Sequence, residues 1–221
     1  AKKFIADGWL SLYDYMSIKE DSEDWRLVNS LKKRGADGDF SLKEMSEKLN
    51  VQPSIERLCD TILRYAPNKK GIVYAIDIKH AEHIAEYYRE HGLNAVAISS
   101  KTPLEERKAI IERFKGTNDS LKDTNCHELS MNLANNNSLK NTNCHEFKIQ
   151  NSKIQNRLCR QFKTQNSKLK ILITVDLFGE GFDCPDVEFI QLARPTLSLA
   201  KYLQQVGRGM RVFEGKKYCL I

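Results

Sequence analysis

The residues best equipped for chemistry lie in "SLAKYLQQVGRGMR", 198 to 211, where Arg208 and Arg211 stand three apart with Gly207 just before the first and Gly209 between them, and with Gln204 and Gln205 just upstream. An ordinary helix end needs one glycine and one cation to meet its orphan carbonyls. The second arginine and the glutamines are surplus to that job, and planar, permanently charged guanidiniums suit a ligand rich in anionic oxygen. A second candidate stretch is "DLFGEGFDCPD", 176 to 186. Gly179 and Gly181 allow close backbone approach, Asp183 offers a carboxylate to a sugar hydroxyl, and Pro185 fixes the exit. Taken alone, GxGxD equally describes a tight turn capped by aspartate. Specificity comes from the pair of stretches, in this order and separated by one short strand-like run, "VEFIQLA" (187 to 193).

The elements that must position these residues alternate regularly. "GIVYAI" (71 to 76) reads as a strand, and "KHAEHIAEYYREHG" (79 to 92) as a helix with Ala81, Ile84, Ala85 and Tyr88 on one face. "NAVAIS" returns as a strand, after which Thr102, Pro103 and Glu105 supply an N-cap, a first-turn proline and a capping-box acid for the helix "LEERKAIIERFKG". "KILITV" (170 to 175), 187 to 193 and "KKYCLI" (216 to 221) are the remaining strands. Strands alternating with helices imply right-handed crossovers and a mainly parallel sheet, whose ligand sites form at the carboxyl ends of the strands. Ahead of this core, "SEDWRLVNSLKK" and "SLKEMSEKLN", with Ser41 and Glu44 as a capping box, predict a helical lead-in over 1–49 around the turn "RGADGDF". A third helix, "SIERLCDTILRYA", places Ile55, Leu58, Ile62 and Leu63 on a core face.

Residues 117–168 are of another kind. "SLKDTNCHEL" (120 to 129) recurs as "SLKNTNCHEF" (138 to 147) and "FKIQNSK" (147 to 153) as "FKTQNSK" (162 to 168), so local duplication explains an Asn-rich insertion with little apolar area to bury. This segment carries +4 of the chain's net charge of +6, which makes the basic balance poor evidence for a binding groove. Its Cys126/His127 and Cys144/His145 pairs lack usual zinc spacing, and no metal site is expected. None of the six cysteines forms a CxxC pair, which fits reduced thiols. No apolar run reaches the roughly 18 residues a membrane span requires and the first residues lack signal-peptide features, so a cytoplasmic location is expected.

With both loops in place, the chain resembles the second RecA-like lobe of superfamily 2 helicases. "TVDLFGEGFDCP" (174 to 185) is similar to their motif V, "QQVGRGMR" (204 to 211) to motif VI, and "GIVYAI" sits at motif IV. The wording resembles the branch of restriction-enzyme motor subunits and RadD-like repair helicases; Glu180 stands where the DEAD-box branch has arginine, and Val175 where many relatives have threonine. The likeness covers about 50–221 outside the insertion.

What the resemblance implies is an α/β RecA-like fold and a motor that hydrolyses ATP between two lobes. Arg211 would be the arginine finger with Arg208 its companion, Gln204 would orient the nucleotide, Gly207 would turn the backbone between the arginines, and Gly181 and Asp183 would approach the nucleotide, Asp183 at the ribose. Ser99, Ser100 and Thr102 would face a nucleic-acid backbone, Thr102 having capping as its plain alternative. The implied cofactor is ATP with Mg, held mainly by an absent lobe, since neither GxxxxGK[ST] nor a DExH box occurs here and the chain reads as an excised fragment. Implied partners are nucleic acid, with DNA the expected form, and the chain's own N-terminal lobe; no membrane is expected. The rival readings are a stand-alone α/β nucleotide- or nucleic-acid-binding module and a Cys/His enzyme built on the insertion. Tight ATP binding by the chain alone would favour the first, and bound metal the second.

Overall fold

The computed structural model describes residues 2–116, 168–175 and 182–221. Residues 1–115 with 169–221 form one compact unit, separate from 116–168. Cys126, His127, Cys144 and His145 lie outside the described residues.

Among the described residues the core is a six-stranded, all-parallel sheet whose strands, in spatial order, are β1 (Tyr13–Asp14), β6 (Cys219–Leu220), β5 (Phe189–Leu192), β2 (Gly71–Tyr74), β4 (Ile171–Thr174) and β3 (Ala95–Ile98). β2 (Gly71–Tyr74) sits at its centre between β4 (Ile171–Thr174) and β5 (Phe189–Leu192), with β3 (Ala95–Ile98) outside β4. β2 and β4 are buried along their whole length, as their short apolar runs require of strands covered on both faces. Alternate side chains serve opposite layers. Val73, Ile171, Ile173 and Phe189 join α4 (Gln52–Tyr65) and α5 (Ile78–Glu90), while Ile72, Leu172 and Ile190 join α6 (Leu104–Lys115) and α7 (Leu199–Gly209). Gly71 lies opposite Phe189, whose ring fills the space a Cβ there would need.

The expected face of α5 is buried in full: Ala81, Ile84, Ala85 and Tyr88. On α4, Ile55 and Ile62 are buried and Leu58 packs beside them, but Leu63 is 42% exposed, because it lies one position round the helix from Ile62.

The lead-in is helical in α2 (Glu23–Asn29) and α3 (Leu42–Leu49), as expected, with a short α1 (Lys2–Ala6) before them. It also contributes a strand: β1 (Tyr13–Asp14) pairs in parallel with β6 (Cys219–Leu220) and extends the sheet, a two-residue element too short for period-two patterning to reveal. Nor does the Ser41–Glu44 capping box form. Ser41 makes no side-chain cap bond, and the Glu44 carboxylate instead accepts from the Lys32 and Lys33 N–H groups, at 3.1 and 2.7 Å, and pairs with Lys48 at 3.1 Å. Glu44 thereby holds the chain entering the turn before α3. Arg57 of α4 grips Asp24 and Glu23 of α2, at 2.7 and 2.8 Å, and fixes the lead-in to the core.

Candidate functional site

Because β2, β3, β4 and β5 run in the same direction and in register, their carboxyl ends and the loops that follow share one edge of the sheet. Two of those loops bring the candidate residues together.

After β5 the chain passes through "ARPTLS" into α7, whose N-cap Ser198 accepts from the Lys201 N–H. The helix does not turn at Gly207, and of the two arginines only Arg208 lies on it. It runs through Gly207 and ends at Gly209, so the two glycines serve different ends. Nothing lies within 4 Å of where a Gly207 Cβ would sit, whereas a Cβ on Gly209 would collide with Cys219 Sγ and Ile190. Gly209 is therefore the contact that lets the end of α7 lie against β5 and β6. Gln204 is exposed one turn before Arg208, while its neighbour Gln205 is buried with its Oε1 lacking a hydrogen-bond partner among the described residues.

The carbonyl that ends α7, Gly209 O, is met by a residue sequence reasoning overlooked. Lys216 Nζ donates to Gly209 O at 2.5 Å, to Arg211 O at 2.9 Å and to Pro185 O at 3.3 Å, joining the helix end to the loop after β4. Burial lowers its pKa from the ordinary lysine value. The signal available was a cation a few residues past a helix end. With Lys216 doing that work, the arginine side chains reach elsewhere. Arg208 donates to the Phe182 carbonyl at 2.5 Å, and Arg211 forms an ion pair with Asp183. Asp183 is 69% exposed and Arg211 39%, so this pair faces solvent.

The loop after β4 is firmly held where it is described. Phe182 is buried and stacks on Phe114 of α6. The Cys184 thiol is pushed up to about 12 by burial and by its bond to Asp186, whose other oxygen accepts from Lys70 Nζ at 2.6 Å. Gly181, with residues 176–180, lies outside the described residues.

The hydroxyl loop after β3 stands apart at the far edge strand. Thr102 Oγ1 accepts from the Ser99 N–H at 3.0 Å and Ser99 Oγ from the Lys101 N–H at 3.2 Å, while Arg107 donates to the Ser99, Ser100 and Thr102 carbonyls. The Thr102 hydroxyl closes this turn rather than capping α6, whose first helical bond runs from the Arg107 N–H to Pro103 O. Ser99 is buried and Ser100 exposed.

Among the described residues no group of three or more His, Cys, Asp or Glu side chains is arranged to hold a metal, and no helix is long and apolar enough to cross a membrane.

The sequence profile of the family "Helicase conserved C-terminal domain" matches residues 53–150 and 137–213. Over 99% of its length the chain is 25% identical to a "51.5 kDa protein" of Lactococcus phage (isolate 7-9) and 23% identical to "Putative ATP-dependent helicase IRC3" of Saccharomyces cerevisiae. It spans 40% and 24% of the lengths of those two relatives. Among solved structures, the ATP-dependent Type ISP restriction-modification enzyme LlaBIII bound to DNA superposes with a TM-score of 0.53 at 12% identity, covering 99% of this chain and 12% of that one.

Proposed function

Because the chain belongs to the helicase conserved C-terminal domain family, with the RecA-like fold of superfamily 2 motors, we propose that it is the second motor lobe of an ATP-dependent nucleic-acid helicase or translocase. The observation that carries the reading is the convergence of Arg208 and Arg211 on Phe182–Asp183, two stretches joined at the carboxyl edge of a parallel sheet. The residues fit a nucleotide. A forked guanidinium matches phosphate oxygens and a carboxylate matches ribose hydroxyls. ATP supplies the phosphoryl group whose transfer drives the motor, and its Mg is assigned to the other lobe.

In this reading Arg211 leaves Asp183 and points at the γ-phosphate, where its fixed charge stabilises what develops in the transition state. Asp183, released, accepts from the ribose. Little opposes the exchange, because a solvent-exposed ion pair contributes only about 0–1 kcal/mol. Arg208 keeps the loop backbone in place, and Gln204, exposed one turn earlier, meets the nucleotide from α7. Ser100, at the exposed tip of the β3 loop, meets the phosphate backbone of nucleic acid, for which DNA is our first choice; Ser99 and Thr102 shape that tip.

The test is phosphate release by the isolated chain and by the full-length protein, each with and without single-stranded and duplex DNA. The expected result is no significant turnover from the chain alone and DNA-stimulated turnover from the full-length protein. A finger without a phosphate-binding loop cannot assemble the transition state. Turnover by the isolated chain at the rate of the full-length protein would overturn the second-lobe reading, and tight ATP binding by the chain alone would favour a stand-alone nucleotide-binding module.

A further inference from the structure

The residues that α7 buries are Gln205, Val206 and Gly209, all in its second half. Its first half offers Leu199 and Leu203 to solvent, at 68% and 57% exposure. In this half only Tyr202, half-buried, packs against the core, so apolar contact alone anchors the start of the helix weakly. What adds to it is a carboxylate from the lead-in. Asp39, 2% exposed, accepts from the Leu197 N–H at 2.8 Å, the Thr196 hydroxyl at 2.7 Å and Lys201 Nζ at 3.3 Å. Lys201, in the first turn of α7, also donates to Asp37 at 2.6 Å, and Arg194 lies 3.9 Å from the Asp39 carboxylate. Thr196 in turn accepts from the N–H of the N-cap Ser198 at 3.1 Å. Every one of these bonds lies within the few residues that set where α7 begins and how it tilts.

We propose that Asp39 is a positioning residue for Arg208 and Arg211. By fixing the start of α7 it sets where the guanidiniums at the other end come to lie, although it touches neither of them. Seven residues separate Lys201 from Arg208, about 10 Å of helix at 1.5 Å per residue, so a tilt at the start is carried as a displacement at the arginines. The loss of roughly 1 Å of register at a catalytic group costs on the order of 10²-fold in rate. The assignment rests on the proposed role of Arg211, and it makes the turn 35–39 a place from which contacts on the lead-in reach the catalytic end of the helix.

The experiment is a double-mutant cycle in the full-length protein, reading kcat and the KM for ATP well below the melting temperature. Asp39→Asn keeps the shape and removes the charge that Lys201 meets. It is expected to lower kcat about 10- to 100-fold, in line with a displaced catalytic group, with KM for ATP changed less than about threefold. In an Arg211→Ala background the same substitution is expected to change kcat less than about twofold, because a group acting through Arg211 has nothing left to position. Lys201→Met removes the same link from the helix side and is expected to follow the same pattern; it serves as the test should Asp39→Asn not fold. Equal losses in both backgrounds, or an unchanged kcat in folded Asp39→Asn and Lys201→Met, would overturn the assignment while leaving the finger intact. Normal turnover in Arg211→Ala itself would instead remove the finger reading, and this inference with it.

Discussion

Two loops leave the same edge of the sheet and dispose of their polar groups in opposite ways. After β3, the Ser99 and Thr102 hydroxyls and three loop carbonyls are bonded within residues 99–107, so the loop is a closed local unit. After β4, Asp183 finds its partner in Arg211, 28 residues away and on another element, and both face solvent. Groups satisfied by their neighbours fix a backbone shape. Exposed charges satisfied by each other across two elements make a pair that a ligand with complementary charge can open. In the proposed reading the second loop meets the nucleotide, while most polar groups of the first are spent on its own shape.

The sharpest way to break the contrast is Arg211→Ala in the full-length protein. ATP turnover is expected to fall by about 10³-fold or more, the scale of arginine fingers, with ATP binding and melting temperature nearly unchanged. Arg211→Lys is expected to rescue only in part, because an ammonium cannot reproduce the forked, planar contact. A mere helix-end cation would lose less than about 1 kcal/mol of stability, keep its turnover and be replaced well by lysine. Lys216 already bonds the Gly209 carbonyl that ends α7 and the Arg211 carbonyl just beyond it, so that plainer job belongs to a different residue. Steady-state kinetics and melts on the three proteins decide between the outcomes.

A smaller effect concerns the tether at the other end of α7. Burial alone would raise the Asp39 carboxyl, but hydrogen bonds from the Leu197 N–H, Thr196, the Phe40 N–H and Lys201 outweigh it and hold the group at about 2, below its ordinary 3.8. A carboxyl lowered by folding stabilises the native state above its unfolded value, and that contribution drains away as pH falls from about 4 towards 2. It amounts to about 2 kcal/mol. Unfolding free energies of wild type and Asp39→Asn from urea titrations are expected to differ by this amount at pH 6 and by less than about half of it at pH 2.5. A gap undiminished at pH 2.5 would show that the asparagine side chain is costly for its shape rather than for its missing charge.

How much of this was legible in the sequence follows from the range of each interaction. The strands and the buried face of α5 obey short periodicities, so Ala81, Ile84, Ala85 and Tyr88 could be read off directly. The motif order placed Asp183, Arg208 and Arg211 in one neighbourhood, and the structure adds that Arg211 pairs with Asp183 while Arg208 bonds the neighbouring Phe182 carbonyl. What local pattern misjudged was decided at a distance. Glu44 had the spacing of a capping-box acid but is drawn to two backbone N–H groups 11 and 12 residues upstream, and Gly207 had the look of a hinge while the close approach falls at Gly209. Asp39 gave no signal at all, being one aspartate of a Gly/Asp-rich turn whose partners lie more than 150 residues on.

The smallest effects probe the hydroxyl loop, where one residue holds shape and its neighbour stands exposed. Thr102→Val removes the oxygen that accepts from the Ser99 N–H and leaves that donor to water, which is expected to cost about 1 kcal/mol and lower the melting temperature by roughly 2–4 °C. Ser100→Ala touches no such bond, so its melting temperature is expected to stay within about 1 °C of wild type. If the exposed tip meets a phosphate backbone, Ser100→Ala should weaken nucleic-acid binding by about two- to fivefold, the worth of one hydroxyl bond, and equally for unrelated sequences, because a phosphate contact carries no base information. The salt dependence should keep its slope, since no cation is removed. Binding titrations of Ser100→Ala and Thr102→Val on two unrelated DNA sequences, each paired with a melt, separate the roles. Unchanged affinity in Ser100→Ala would move the nucleic-acid contact away from this loop, leaving Ser99 and Thr102 as residues that only shape the turn.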